Sequence, residues 1–277
     1  MGLIVVSGAG GRLGRRVVER MSGPLRMLVR NAGRAPEKAG AEVAVAEYRD
    51  GAAVTKALTG AETVLMVSAA ETPDRVDEHR SFVDAAVMAG VGHLVYTSFV
   101  GASPDATFTL ARDHWATEQH IRDSGLAFTF LRDNLYADFM RFLVGEDGVI
   151  RGPAGDGRAA VVAQDDIADV ITTVLREPGA HAGRTYDLTG PAAVSLAEVA
   201  AIVGASTGRD VRFHNESIPE AYASRSPFGA PDWQVDAWVS TYTAIAAGEL
   251  ATVSTAVEEL TGHPATSLAE LLEREPA

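Results

Sequence analysis

The chain contains no cysteine, which excludes disulfide staples, thiolate metal centres and cysteine nucleophiles. It also has few lysines: two, against 22 arginines. That bias carries no functional reading. Positive charge is in deficit overall, with a formal net charge of −13. An acidic balance disfavours direct nucleic-acid binding, which needs a basic face. No uninterrupted apolar run approaches the ~18 residues of a membrane helix. The opening "MGLIVVSGAGGRLG" has no basic leader, and its short apolar run passes straight into glycines. It therefore reads as a strand entering a loop rather than a secretory signal. The expectation is a soluble cytoplasmic protein. Its 277 residues suit one large domain or two interleaved ones, enough to bury a core unaided.

Short β-rich runs alternate with amphipathic stretches. Strands are predicted at Leu3–Ser7, Leu25–Val29, Glu42–Ala46, Thr63–Val67, His93–Thr97 and Ala127–Leu131. Helices are predicted at Arg12–Met21, Ala52–Leu58, Val76–Ala89 and Leu110–Asp123. The strands are nearly continuous apolar runs, the pattern of parallel strands buried on both faces. This predicts an α/β, doubly wound parallel sheet with right-handed crossovers. Beyond about residue 148 the regularity breaks. "GEDGVIRGPAGDGRAA" (145–160) reads as hairpin and loop. "QDDIADVITTVL" (164–175) reads as a helix capped by Asp165 or Asp166, and "RTYDLTG" (184–190) as a strand. Ser195/Glu198 and Ser267/Glu270 are capping boxes, and "RSPFGAPDW" (225–233) reads as a loop. The expected division is a core over 1–148 and a smaller, mainly helical substrate part over 149–277. Segments around 160–190 return to the core.

"VSGAGGRLGRRV" sets Gly8, Gly11 and Gly14 between the first strand and first helix. In that context the spacing signals a dinucleotide site. Gly8 makes the tight turn, Gly11 admits a pyrophosphate, and Gly14 lets helix pack on sheet. The helix N-terminus offers N–H groups to the anion. An acid at the end of the second strand would bind a ribose hydroxyl. Here "MLVRNAGR" places Arg30 there, a partner for the 2′-phosphate of NADP(H). Arg34 and Lys38 either join it or form a solvated face. Asp50 either reaches adenine or caps the following helix.

The blocks "SGAGGRLG", "LVRNAGRA", "LMVSAAE", "GHLVYTSF", "HWATEQHIRDSGLAFTFLRDNLY" and "GDGRAAVVAQDDIADV" occur in an order that resembles the NmrA-like group of atypical short-chain dehydrogenases. Within that group they resemble the NADPH-dependent quinone oxidoreductases and triphenylmethane reductases. The resemblance is dense from Gly2 to about Asp187 and looser beyond. It implies an extended Rossmann sheet, NADPH (NADP) as cofactor, and a small aromatic or quinone-like substrate held between the core and the C-terminal part. No nucleic-acid or membrane partner is implied, and the assembly to consider is a homodimer. The implied cofactor contacts are Gly8, Ala9, Gly10, Gly11, Arg12, Leu13 and Gly14, then Arg30, then Ser68, Ala69 and Ala70. A further implied segment is Arg132, Asp133, Asn134 and Leu135. Asp133 departs from the pattern and would add a carboxylate favouring the oxidised nicotinamide.

Other chemistries have little support. The seven histidines form no metal-ligand spacing, and Ser98 in "YTSFVG" lies outside a nucleophile elbow. His79 reads as a helix residue with local hydrogen bonds. Trp115, Trp233 and Trp238 either pack in the core or line an aromatic pocket. The broader short-chain dehydrogenases carry Tyr-x-x-x-Lys where this chain reads His114-x-x-x-Glu118. The pair still shares a helix face, but Glu118 supplies no ammonium. His114 is either an acid near neutrality or a partner of Glu118. Ser98, Asn134 and Tyr136 are candidates to orient the acceptor. Two readings stand: a hydride-transferring reductase, and a non-catalytic NADP(H)-sensing regulator.

Overall fold

A computed structural model describes residues 2–274. Strand and helix alternate through β1 (Leu3–Ser7), α1 (Arg12–Arg20), β2 (Leu25–Val29), β3 (Glu42–Val45), α2 (Gly51–Leu58), β4 (Ala61–Met66), α3 (Arg75–Met88), β5 (His93–Phe99), α4 (Thr109–Asp123) and β6 (Ala127–Asp133). Next come β7 (Val149–Gly152), β8 (Arg158–Ala159), α5 (Gln164–Arg176), β9 (Arg184–Leu188), β10 (Val194–Ser195) and α6 (Leu196–Thr207). The chain closes with β11 (Arg212–Asn215), α7 (Ile218–Arg225), α8 (Asp232–Ala246), α9 (Ala256–Thr261) and α10 (Leu268–Arg274).

Seven strands form one sheet in the order β3-β2-β1-β4-β5-β6-β9. The ladders linking β1 with β2, β2 with β3, β1 with β4, and β4 with β5 are parallel. The strand order reverses between β1 and β4, the position where open α/β sheets bind ligands. Val5, Val64, Leu65, Leu94 and Val95 are fully buried, which explains why these strands read as unbroken apolar runs. Tyr96, Phe82 and Phe130 anchor the core with Leu58, Leu94 and Ile121.

The chain forms two compact units. One comprises the chain up to Phe99 with Asp113–Arg132 and Gln164–Tyr186; the other comprises Val100–Arg112, Asp133–Ala163 and the chain from Asp187 onward. Residues 100–112 and 133–148, expected in the core, thus belong to the second unit. In the first unit, α5 packs on α1 through Arg20, which grips Asp165 and Asp169 at 2.7 Å each. α5 begins at Gln164, so Asp165 and Asp166 sit in its first turn rather than at its cap. There they complement the helix dipole.

In the second unit, a turn at 145–148 sets Val144 against Ile150 as an antiparallel bridge, so the expected hairpin is a short one, and β7 and β8 fall in separate two-stranded sheets. β7 pairs in parallel with β11, and β8 antiparallel with β10. Capping boxes open α6 at Ser195/Glu198 and α10 at Ser267/Glu270. A third, Ser217/Glu220, opens α7 and escaped the sequence reading. Of the loop expected over 225–233, Arg225 closes α7, Ser226–Phe228 form a 3-10 turn, and Asp232 and Trp233 already open α8. Among the described residues no helix is long and apolar enough to cross a membrane.

Candidate dinucleotide site

The carboxyl ends of β1 to β4 open onto a groove of about 570 Å³. Its walls include Gly8, Gly10, Gly11, Arg30, Asn31, Arg34, Tyr48, Val67, Ser68, Ala69 and Ala70. Gly8 takes a left-handed φ of 62° to turn the chain, a conformation that costs other residues energy. A Cβ on Gly14 would lie 2.3 Å from the Gly8 carbonyl oxygen, so the close packing of α1 under the loop admits no side chain. Gly11 caps α1 without a side-chain hydrogen bond, leaving first-turn N–H groups for an anion. Of the other expected loop contacts, Ala9 and Leu13 are buried, while Arg12 is exposed but is not among the groove-lining residues.

Arg30 and Arg34 are exposed on the groove rim. Among the described residues, their guanidiniums form no hydrogen bond or ion pair. The neighbouring cations are occupied. Arg49 bridges to Glu78 at 2.7 Å, and Lys38 donates to the Glu19 carbonyl at 3.0 Å. Asp50 takes the capping role, its Oδ1 accepting from the Ala53 N–H at 3.0 Å. The Tyr48 hydroxyl donates to the Val67 carbonyl at 2.7 Å. Burial pushes its pKa up, keeping it a donor.

The Ser68–Ala70 wall is held from behind. Ser68 N–H donates to Thr97 Oγ1 at 2.8 Å. Ala69 N–H donates to His79 Nε2 at 2.8 Å, and Arg75 Nε donates to the Ala69 carbonyl at 3.0 Å. His79 and Arg75 are buried. An amide can only donate, so His79 Nε2 accepts, and Nδ1 carries the proton toward Thr117 Oγ1, 2.8 Å away. Burial, then the nearby Arg75, hold the His79 pKa well below its usual value. His79 is a helix residue, as expected, but its hydrogen bonds are not local: they reach the loop ten residues before it and α4, 38 residues on, and they fasten the groove wall. Arg75, Thr97 and Thr117 carried no signal in the sequence.

His114 and Glu118 both face β5. Two strand residues span ~6.6 Å and four helical residues ~6 Å, so His114 meets Tyr96 and Glu118 meets Ser98. Arg75 Nη2 lies 3.0 Å from His114 Nε2. Guanidinium only donates, so that nitrogen accepts, and Nδ1–H donates to Tyr96 Oη at 2.9 Å. Burial and Arg75 hold the His114 pKa well below its usual value. His114 is therefore neutral with both nitrogens engaged, and a titrating acid does not fit this geometry. It pairs with Tyr96 and Arg75, not with Glu118. Glu118, fully buried, takes two bonds from Arg132 at 2.7 and 2.8 Å and one from Ser98 at 2.7 Å. Arg122 adds a contact at 3.2 Å. The Arg132 side chain, expected at the cofactor, is thus engaged by Glu118, and Ser98 donates its hydroxyl proton to that carboxylate.

In the second unit, Asn134 is buried. Its amide donates to the Leu250 carbonyl at 3.0 Å and its Oδ1 accepts from Leu135 N–H at 2.8 Å, so it is committed to the backbone. Tyr136 is half-buried, and its hydroxyl donates to Asp133 Oδ2 at 3.0 Å. Burial pushes the Asp133 pKa up to about 8. A shift in that direction favours the neutral acid and so reduces the negative charge that the sequence leads one to expect there. Arg132, Asp133, Asn134 and Leu135 are not among the groove-lining residues. Trp115, Trp233 and Trp238 are all partly exposed, and Trp238 meets Phe228 edge-on at 6.0 Å.

The chain is 34% identical to quinone oxidoreductase 2 of Escherichia coli, covering 97% of this chain and 96% of that protein. The structure of that NADPH-dependent enzyme complexed with NADPH superposes with a TM-score of 0.90, covering 98% of this chain and 99% of the other. An NAD(P)H azoreductase of Xenophilus azovorans is 32% identical over 97% of this chain and 96% of its own length. Triphenylmethane reductase of Citrobacter sp., complexed with NADP(H), has a TM-score of 0.87 at 31% identity, covering 98% of this chain and 99% of that one. The NmrA-like family model matches residues 1–234, and the chain belongs to the NmrA-like family.

Proposed function

We propose that the protein is an NADPH-dependent reductase that passes hydride to a quinone or a similarly conjugated aromatic acceptor. The observation that carries this is the groove at the sheet's switch point, with a glycine turn at its base and two uncommitted arginines on its rim. The residues fit a phosphorylated dinucleotide. The Gly8–Gly11 backbone and the N-terminus of α1 would take the pyrophosphate, and Arg30 the 2′-phosphate. Reductase activity in relatives matched over nearly the whole chain supports the same reading. Those relatives also make the non-catalytic sensor the weaker alternative.

When bound, the cofactor supplies the hydride. The protein's part is chiefly positional, because charge developing on a conjugated acceptor spreads over its π-system and needs little help from an acid. The side chains agree. His114 is locked neutral, Ser98 serves Glu118, and Asn134 serves the backbone. Tyr136 is half-buried and donates its hydroxyl to Asp133, so it can orient an acceptor oxygen only by giving up that bond.

Following NADPH absorbance with a panel of quinones, azo compounds and cationic triarylmethane dyes tests this reading, with NADH as control. NADPH bound tightly but never oxidised would favour the sensor. Arg30→Ala is expected to weaken NADPH binding about ten- to a hundredfold, the ~1.5–3 kcal/mol of a charged hydrogen bond. NADH affinity should stay unchanged. Unaltered NADPH affinity in a direct titration would remove Arg30 from the site. His114→Ala, assayed at saturating NADPH, is expected to retain at least about a tenth of kcat, a barrier change below ~1.4 kcal/mol. Its pH profile should match wild type. A thousandfold fall would make His114 an essential acid.

A further inference from the structure

We propose that His79 and Arg75 are positioning residues that hold the backbone of Ala69 in the groove wall for the dinucleotide, with His114 acting on the same residue through Arg75. This rests on the reading of the groove given above. A surface loop ordinarily leaves its N–H and C=O groups to water. Ala69 instead turns both inward, onto two side chains of α3 that are themselves buried. Burying an imidazole and a guanidinium is costly unless their hydrogen bonds are met, and here they are met in one direction only. The first chain runs from the Ala69 N–H to His79 Nε2, from His79 Nδ1–H to Thr117 Oγ1, and from the Thr117 hydroxyl to the Asp113 carbonyl at 2.8 Å. The second runs from the Ala69 carbonyl to Arg75, whose Nη2 binds His114, which in turn donates to Tyr96. Asp113 adds an ion pair to Arg75 at 3.4 Å.

The first chain ends on α4 and the second on β5, so the loop is tied to rigid elements before any ligand arrives. Preorganisation of this kind lowers the cost of binding. Loosening the clamp should therefore raise the Kd and KM for NADPH rather than lower kcat. The helix position that holds the proton-transferring tyrosine in the broader short-chain dehydrogenases, here His114, is used in this chain to brace the loop.

The test compares two amides at one position. In His79→Gln, Oε1 reaches the place of Nε2 and can still accept from Ala69. In His79→Asn, the side chain stops short, near Nδ1. NADPH titration, KM and kcat, and deuterium exchange at the Ala69 amide are measured in each. Losing one such bond is expected to weaken NADPH binding about tenfold in His79→Asn and to speed Ala69 exchange. His79→Gln should stay within about threefold of wild type. Equal losses in the two variants would indicate mere packing and overturn the proposal, as would wild-type affinity in His79→Asn. If His79→Asn fails to fold, Thr117→Val decides. It removes the acceptor that sets the His79 tautomer without touching the loop, and wild-type affinity and exchange there would also overturn the proposal. A wild-type chain that does not bind NADPH would sink the reading of the groove. Ala69 exchange in the ligand-free variants would still judge the clamp separately.

Discussion

Gly11→Val is expected to remove NADPH binding, by at least about a hundredfold or ~2.8 kcal/mol, while leaving the chain folded. Gly11 has φ −84° and ψ 172°, extended values that any residue adopts. A Cβ there would meet only the Gly8 carbonyl oxygen, at 3.2 Å, so the turn can accommodate it with a small shift. The branched side chain would then stand in the groove that Gly11 lines, where the pyrophosphate must approach the backbone. Circular dichroism and an NADPH titration on the same sample separate folding from binding. Folded protein with wild-type affinity would mean that this glycine only shapes a turn. Gly14→Ala should behave differently and disturb the fold, because its Cβ would overlap the Gly8 carbonyl.

The difference between these two glycines marks what the sequence discloses. Strand–glycine–helix order is local, and β1, the turn and α1 form where the pattern places them. The runs of β4 and β5 are likewise legible, because burial on both faces makes them nearly continuous apolar stretches with only a few polar residues. Pairings across long separations are not. β7 and β8 look like one hairpin because turn residues lie between them, yet their partners are β11, 63 residues downstream, and β10, 35 to 37 residues downstream. The site divides in the same way. The place of Arg30 on the groove is legible because it follows its strand directly. Nothing in "FLRDNLY" reveals that Glu118, on the preceding helix, takes the Arg132 guanidinium. His114 was found by spacing, but its role depends on Arg75, 39 residues away, and on a tautomer that only the packed structure defines.

Asp133→Asn is expected to make the protein much less sensitive to alkali. Asp133 is buried, Tyr136 donates to one of its oxygens, and among the described residues Oδ1 has no hydrogen-bond partner. Burial raises its folded pKa to about 8, whereas an unfolded aspartate titrates near ~3.9. Between those values the folded chain keeps a proton that the unfolded chain has released. Stability therefore falls as pH rises from about 4 to about 8, then levels off. Its contribution is complete below the unfolded pKa and lost on passing through the folded one. Asparagine has no proton to release. The advantage of the variant over wild type should grow by about 2–4 kcal/mol between pH 5 and pH 8. Urea unfolding of both proteins at unit steps of pH measures this as diverging midpoints. Parallel profiles would show that Asp133 is ionised in the folded protein, and the extra negative charge first read from the sequence would be present after all.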